Sequence, residues 1–233
     1  KGIKVTQTIA QQSSIGTSSK GKVIVSRGFQ QSKISNVQPI VNDAITTLVY
    51  PNPIVDVVNF KLSKPVDGKI AVSFFDANGD GNLDLMIGSG GNEIGQQNNY
   101  KVRLYLNNGK GTFESAKNKL PALRKNIAVI SPYDFDNDGD IDVFVGARSM
   151  VATYGIDPTH QFLENNGDGT FLDTTEKVAY DVKSAGMMTD AIWEDINNDG
   201  KKDLITVSEW NTPKIFINNG RRLIKQKSTL DDL

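Results

Sequence analysis

The sequence predicts an all-β protein assembled from repeated four-stranded units, and three observations support this prediction. An acidic loop occurs three times, beginning at Asp76, Asp134 and Asp195. A short apolar run of strand length follows each loop, at 83–88, 141–146 and 204–208. An Asn-Asn-Gly segment between two apolar runs then appears in each unit, which is a strong hairpin signal. The order of strand, acidic loop, strand, excursion and hairpin outlines one four-stranded unit, repeated three times.

The acidic loops share one arrangement of polar residues. Positions 1, 3, 5 and 9 carry Asp or Asn and position 6 is Gly, in 76–84, 134–142 and 195–203. Carboxylates at alternate positions would repel one another along a bare strand, whereas on a tight loop they converge on a hard cation. Glycine at position 6 allows the sharp backbone turn that such a loop needs. The pattern therefore predicts three calcium sites, against the alternative of three solvated polar turns.

The hairpins and connections complete each unit. Asn-Gly favours a tight turn because both residues tolerate positive φ. The hairpins are expected around Gly109, Gly167 and Gly220. Residues 174–180 predict a short helical insert between the second and third units.

Composition narrows the class of protein. Hydrophobic residues make up 38% and charged residues 23%, which is usual for a globular protein. The net charge of −1 gives no general attraction for nucleic acid. No apolar run reaches the ~18–20 residues that span a bilayer, so an integral membrane protein is not expected. The chain has no cysteine, and its start at Lys1, without an initiator methionine or signal peptide, predicts a mature product or a fragment.

The sequence does not supply a recognisable set of catalytic residues. With no cysteine and one histidine, His160, neither a Ser/His/Asp nor a Cys/His set can be built, and His160 is expected on a surface loop. Trp193 and Trp210 are expected to pack between units rather than to bind sugar. Four carboxylates outside the loops leave an acid/base pair open, and these are Glu93, Glu164, Glu194 and Glu209.

Residues 1–68 predict a β-rich, sandwich-like segment before the repeats. Strands are expected at 3–8, 22–26 and 38–41, separated by Ser and Gly. Alternating apolar residues over 57–63 predict a half-buried strand. The domain boundaries are therefore 1–68 and 69–233, and the repeats begin with a strand at 70–75.

The repeats closely resemble the FG-GAP/VCBS family of calcium-bearing β-propeller blades, in its bacterial, UnbV-related form. The resemblance rests on the acidic loops, the Asn-Asn-Gly hairpins, Ser89–Glu93, Gly186–Trp193 and Ser208–Trp210. It implies side-chain ligands at positions 1, 3, 5 and 9 and a backbone carbonyl at position 7. The implied calcium ligands are Asp76, Asn78, Asp80, Asn82, Asp84, Asp134, Asp136, Asp138, Asp140, Asp142, Asp195, Asn197, Asp199, Lys201 and Asp203. Because a closed propeller typically has 4–8 blades, three imply part of a larger ring, with blades missing from the chain or supplied by a neighbour.

A second resemblance concerns the segment before the repeats. Residues 49–53 read Val-Tyr-Pro-Asn-Pro and, with Asp56, Val58-Asn59 and the strand at 69–75, resemble the C-terminal sorting domain of type 9 secretion cargo in Bacteroidetes. The signal-like residues are Tyr50, Pro51, Asn52 and Pro53. In that family the domain ends the chain, whereas here the repeats follow, and an ordinary edge-strand turn is the alternative. The resemblance implies export and contact with outer-membrane barrel components of the secretion system.

Together these features predict a secreted or cell-surface, calcium-stabilised binding or adhesion module that performs no chemistry. The ion is expected to be structural rather than regulatory or catalytic, and the ligand is a protein or a glycan of unknown identity. Two alternatives remain open. One is a polysaccharide-degrading enzyme on a propeller scaffold, and the other is a structural or assembly partner of an outer-membrane complex.

Overall fold

The computed structural model describes residues 16–20, 23–27, 47–50, 59–62, 70–90, 100–110, 112–123, 125–151 and 153–227. The chain divides into two compact units, Lys1–Ala44 and Ile45–Leu233. The first contains an antiparallel pair of strands, β1 (Gly16–Lys20) and β2 (Val23–Arg27). The strand expected at 22–26 corresponds to β2, whereas those at 3–8 and 38–41 lie outside the described residues.

The second unit begins with another antiparallel pair. Strand β3 (Thr47–Tyr50) pairs with β4 (Asn59–Leu62), and Tyr50 lies opposite Asn59. Strand β4 lies within the stretch at 57–63 whose alternation predicted a strand. Pro51, Asn52 and Pro53 fall outside the described residues, and the predicted domain boundary at 68/69 stays a prediction.

Three four-stranded antiparallel sheets follow, each with its strands in chain order. Blade 1 contains β5 (Ile70–Phe75), β6 (Asp84–Ser89), β7 (Val102–Asn107) and β8 (Phe113–Ser115). Blade 2 contains β9 (Asn126–Tyr133), β10 (Asp142–Ser149), β11 (Gln161–Asn165) and β12 (Phe171–Asp173). Blade 3 contains β13 (Met187–Glu194), β14 (Asp203–Glu209), β15 (Lys214–Asn218) and β16 (Leu223–Lys225). The predicted all-β fold with propeller-like blades is confirmed.

The predicted helical insert is also present between blades 2 and 3. It consists of α1 (Thr175–Val178) and a 3-10 turn at Tyr180–Val182. Among the described residues, no helix has both the length and the apolar character needed to cross a membrane.

The blades are held together by two apolar cores. One core contains Phe75 and Met86 of blade 1 with Ile127 and Phe171 of blade 2, and the rings of Phe75 and Phe171 meet edge to face at 6.3 Å. The other core contains Phe135, Phe144 and Phe162 of blade 2 with Trp193 and Phe216 of blade 3. Burial of these large side chains is the main force that joins neighbouring blades.

Glycines in the second strand let neighbouring blades approach closely. A Cβ atom at Gly88 would lie 2.5 Å from the side chain of Ile127, which belongs to the next blade. A Cβ atom at Gly146 would likewise lie 2.7 Å from Met188 of blade 3. Both distances are too short for real atoms, so only glycine fits these contacts. Blade 3 has Val207 at the equivalent position, and this side chain is 37% exposed.

Two predictions about tryptophan had opposite outcomes. Trp193 is buried between blades 2 and 3, as predicted, where its Nε1 donates to the Ser131 carbonyl at 3.2 Å and its ring lies 5.1 Å from that of Tyr133. For Trp210 the prediction was wrong, because its side chain is 77% exposed. The reason is local: Trp210 follows the end of β14 and has left the sheet face that packs against a neighbour.

The prediction that His160 lies on a surface loop was also wrong. His160 is 1% exposed, and its Nδ1 accepts a hydrogen bond from the Ala147 backbone N–H at 3.1 Å. Its ring packs edge to face on Phe144. Burial lowers the pKa of His160 to about 4, so the imidazole is neutral at pH 7. In this state its Nδ1 is an uncharged acceptor inside the fold.

Candidate metal centres in the acidic loops

Each acidic loop joins the first and second strands of its blade. The loops therefore lie at the same end of the three sheets, and position 9 is the first residue of the second strand in every case, namely Asp84, Asp142 and Asp203. Antiparallel pairing places the start of the loop beside its end, as between Phe75 and Asp84. The strands thus bring the two ends of each loop together.

The backbone of each loop turns at positions 4 and 6. The glycine at position 6 has a positive φ, for example +99° at Gly139, and position 4 is left-handed as well, with φ 64° at Asn137. The position-6 N–H then points at the position-1 carboxylate. The three nitrogen–oxygen distances are 2.8 Å for Gly81 to Asp76, 3.1 Å for Gly139 to Asp134 and 2.9 Å for Gly200 to Asp195. The requirement for glycine at position 6 was correctly predicted from the sequence.

The second loop brings three carboxylates together. One oxygen from each of Asp134, Asp136 and Asp138 lies within 4.8 Å of the others. The Oδ1 atom of Asp134 is buried and accepts no hydrogen bond from the described residues. Burial and the neighbouring charge of Asp138 raise the pKa of Asp136. Three acceptors that crowd together, one of them lacking a donor, have the chemistry that a divalent cation with oxygen ligands would satisfy.

In the first and third loops an amide at position 3 replaces one of these carboxylates. Asn78 donates to Asp80 at 3.2 Å, and Asn197 donates to Asp199 at 3.1 Å. Backbone N–H groups at position 7 also bind the position-5 carboxylates and lower the pKa of Asp80 and Asp199. Charge repulsion is therefore greatest in the second loop.

The aspartates at position 9 are buried and serve as clamps. Each has an exposed fraction of 3% or less, and its two oxygens accept backbone N–H groups from two different segments. One donor is the loop residue at position 2, at 2.9 Å for Ala77, 3.2 Å for Phe135 and 3.3 Å for Ile196. The other is the first Asn of the hairpin, at 2.7 Å for Asn107, 2.9 Å for Asn165 and 2.8 Å for Asn218. Burial raises the pKa of Asp142 to about 7 in spite of these bonds.

The first asparagine of each hairpin has a role that the sequence did not reveal. The Oδ1 atom of Asn165 accepts the Gly167 N–H at 3.1 Å, and its Nδ2 donates to the Ile141 carbonyl, at position 8 of the loop, at 3.2 Å. The same Nδ2 donates at 2.9 Å to the carbonyl of Ala77, in the loop of blade 1. Asn218 repeats this bond to Phe135 of blade 2 at 3.3 Å. A hairpin asparagine thus ties the acidic loop of one blade to the next blade.

The hairpin turns differ in one respect from the prediction. The three hairpins exist, but the paired strands end at Asn107, Asn165 and Asn218 and resume at Phe113, Phe171 and Leu223, so each connection is longer than two residues. Only the glycine of each Asn-Gly pair has a positive φ, at 68°, 79° and 79°. The first Asn stands outside the Asn-Gly pair, and its side chain bonds to residues beyond the turn.

Position 7 of each loop packs against the hairpin of its own blade. A Cβ atom at Gly109 would lie 2.7 Å from the Asn82 side chain, and one at Gly167 would lie 2.5 Å from the Asp140 carboxylate. Lys201 lies beside Gly220 in the same way. Because the side chain is directed to the hairpin, residues as different as Asn, Asp and Lys are accepted there.

Of the carboxylates considered for catalysis, Glu93 lies outside the described residues. Glu164 lines a cavity of about 320 Å³ between blades 2 and 3, together with Asp136, Lys177, Arg221 and Arg222. Glu209 is at the opposite end of its blade, in an ion pair with Arg148.

Comparison with known proteins agrees with the repeat architecture. Residues 76–145 match the FG-GAP-like repeat family. The match begins at the first aspartate of loop 1, includes the whole of loop 2 and ends in β10, and it spans less than a third of the chain. It supports the FG-GAP part of the resemblance. No curated protein matches the sequence.

Proposed function

We propose that the repeats form a calcium-stabilised, propeller-like binding module. The observation that supports it most is the convergence of Asp134, Asp136 and Asp138 within 4.8 Å, with a buried oxygen of Asp134 that accepts no hydrogen bond from the described part of the chain. The FG-GAP-like match covers this loop and the one before it. Oxygen ligands without sulfur or imidazole favour Ca²⁺ over zinc or copper.

In this proposal the second loop holds calcium through Asp134, Asp136 and Asp138, with the Asp140 carbonyl and Asp142 as further ligands. The first and third loops use the matching residues, beginning at Asp76 and Asp195. Bound calcium supplies the positive charge that offsets carboxylate repulsion. The protein supplies the turn at position 6 and the clamp at position 9, which hold the loop in one shape.

The function that follows is recognition rather than catalysis. Rigid sheets that carry their variable connections at the ends present those connections as a binding surface. Nδ1 of the buried, neutral His160 and the carboxylate of Glu209 are bonded to neighbours, which favours a module without chemistry. Its ligand would be a protein or a glycan.

Display outside the cell is part of the proposal. Extracellular calcium modules work with dissociation constants of roughly 10⁻⁴–10⁻³ M. Export through a type 9 system rests on the resemblance at Tyr50–Pro53. Replacing Pro51 and Pro53 by alanine in a host with that system should retain the chain inside the cell, and unchanged export would rule out this signal.

Calorimetric titration tests calcium binding directly. The chelator-treated chain should release or absorb heat with Ca²⁺, and Asp138→Asn should weaken the tightest site by about tenfold or more, because a charged ligand is lost. Asp157→Asn, an exposed aspartate outside the loops, is the matched control and should bind like the parent chain. A titration without heat, or equal binding by both variants, would refute the metal assignment.

A further inference from the structure

A second cluster of side chains lies at the end of blades 2 and 3 opposite the acidic loops. Arg148 is next to the last residue of β10, and Glu209 is the last residue of β14. The acidic loops enter these two strands at Asp142 and Asp203, so about six residues of extended chain, roughly 20 Å, separate the two ends. We call Arg148, Tyr154, Glu209 and Trp210 the aromatic platform.

Ionic and hydrogen bonds hold the polar part of the platform in place. The Arg148 Nη2 atom forms an ion pair with Oε1 of Glu209, which joins blade 2 to blade 3. The Tyr154 hydroxyl donates to the other carboxylate oxygen. The Glu209 side chain is 15% exposed and that of Arg148 is 27% exposed. Both charged groups are thus partly buried and fixed relative to each other.

The aromatic part is fixed but open to solvent. The rings of Tyr154 and Trp210 meet edge to face, with centroids 5.7 Å apart and planes at 85°. Trp210 has φ 59°, a left-handed conformation that is rare for a bulky residue, and Asn211 Nδ2 binds the carbonyl of Glu209 within this turn at 3.2 Å. A strained backbone conformation therefore holds in place an indole that is 77% exposed.

The chemistry of the platform selects one class of ligand. Its acid and base neutralise each other, so it has no net charge with which to attract an ion. An exposed indole presents a flat, electron-rich face. Arg148, which is ion-paired to the residue before Trp210, is 27% exposed, and a guanidinium carries five N–H donors. A neutral molecule with a C–H face and a hydroxyl edge matches this arrangement, and a sugar ring has both.

We propose that the aromatic platform is a glycan-binding subsite, in which a sugar ring stacks on Trp210 and its hydroxyls bind Arg148 and Glu209. This inference rests on the proposed binding function and names its ligand class and its location. No covalent step is involved. Tyr154 positions Glu209 and braces the indole.

Tryptophan fluorescence makes the subsite testable. The chain has two tryptophans, and Trp193 is 9% exposed, so quenching by acrylamide reports mainly on Trp210. A printed glycan array identifies binders, and the best binder is then titrated as a free oligosaccharide. Saturable protection of Trp210 from acrylamide is the expected result. Trp210→Ala should weaken array binding and calorimetric affinity by about tenfold or more, whereas Trp210→Phe should retain part of the affinity.

Controls separate this inference from the calcium proposal. Ile224→Ala removes another exposed apolar side chain, on β16, and should bind glycans like the parent chain. Calcium titration of Trp210→Ala should match the parent chain, which also shows that the variant is folded. A calcium-responsive chain that binds nothing on the array would overturn the glycan subsite and leave the calcium proposal intact. Glycan binding that survives Trp210→Ala would overturn it as well, as would binding of a protein alone through Trp210.

Discussion

The aspartates of the acidic loops have two different structural roles, although their side chains are chemically identical. Asp134, Asp136 and Asp138 face one another and have spare acceptor capacity. Asp142 and Asp203 are buried and accept backbone N–H groups with both oxygens. The first arrangement repels itself without a cation, whereas the second has a backbone N–H donor for each oxygen whether or not a cation is bound. The two roles can therefore be separated by working with and without calcium.

Asp203→Asn should destabilise the chain by about 2–4 kcal/mol even in chelator, because an amide cannot accept both N–H groups and leaves a buried donor unpaired. Urea unfolding followed by circular dichroism measures the change. Asp199→Asn, four residues earlier and exposed, keeps its acceptor oxygen and should cost little in chelator. Equal losses for the two variants would contradict the clamp role.

His160 makes stability depend on pH in one window. Its pKa is about 4 in the folded chain and about 6.5 when unfolded, so the unfolded state binds the proton more readily between these values. The contribution is fully present above pH 6.5 and is lost as the pH falls, by about 3 kcal/mol near pH 4. Carboxylates titrate over the same range, so the comparison needs a variant.

His160→Asn keeps an acceptor for Ala147 but cannot titrate. Its free energy of unfolding should be lower at pH 7, because packing is lost, and should approach that of the parent chain as the pH falls from 6.5 to 4. Denaturant titrations at several pH values give both curves. Curves that stay parallel across the window would show that His160 is not the titrating group.

At the scale of elements, each blade consists of two hairpins. Hydrogen bonds join the acidic loop of the first hairpin to the Asn-Asn-Gly turn of the second. The position-9 aspartate accepts a backbone N–H from the first asparagine of the hairpin. The side chain of that asparagine in turn donates to a carbonyl of the acidic loop. In blades 2 and 3 the asparagine also reaches the previous blade. The unit that folds is therefore larger than one sheet.

Asn165→Ala should destabilise the chain by about 2–4 kcal/mol, because the Gly167 N–H and the carbonyls of Ala77 and Ile141 lose their partner. Asn165→Asp keeps the acceptor for the Gly167 N–H but sets a buried carboxylate oxygen against the Ala77 and Ile141 carbonyls, so it should cost at least as much as Asn165→Ala. Asn166→Ala changes the exposed neighbour in the same turn and should have little effect. Urea unfolding would contradict this account if both alanine variants lost the same stability.

Local patterns predicted the blades because each signal has a short range. Alternating apolar residues, Asn-Gly turns and alternate aspartates act within about ten residues, and the strands, hairpins and loop shape followed from them. Burial depends on which blade packs where, so His160 was wrongly placed on the surface and Trp210 in the interior. The dual role of Asn165 depends on Ala77, 88 residues away, and a single sequence does not show such a pair.

At the scale of the whole molecule, the three blades are equivalent in sheet but not in surroundings. Position 2 of the acidic loop is buried under the next blade at Ala77 and Phe135, with 1% and 4% exposed, whereas Ile196 of blade 3 is 37% exposed. Val207 also stands where blades 1 and 2 have the glycines that admit a neighbour. A blade placed on blade 3 in the same manner would meet the Val207 side chain and would need a smaller residue than Ile127 or Met188 at its contact.

Calcium removal should act on the three blades together, because side-chain bonds link each of the first two acidic loops to the next blade. Chelator should lower the melting temperature, and 10 mM Ca²⁺ should restore it by mass action. With dissociation constants of roughly 10⁻⁴–10⁻³ M, each occupied site adds about 1.4–2.7 kcal/mol. Asp138→Ala should reduce the calcium-dependent part more than Asn78→Ala, since it removes a charged ligand. Scanning calorimetry should show one transition that shifts as a whole. A melting curve that ignores chelator would refute the structural role of the ion, and a separate low-temperature transition would show that the blades unfold independently.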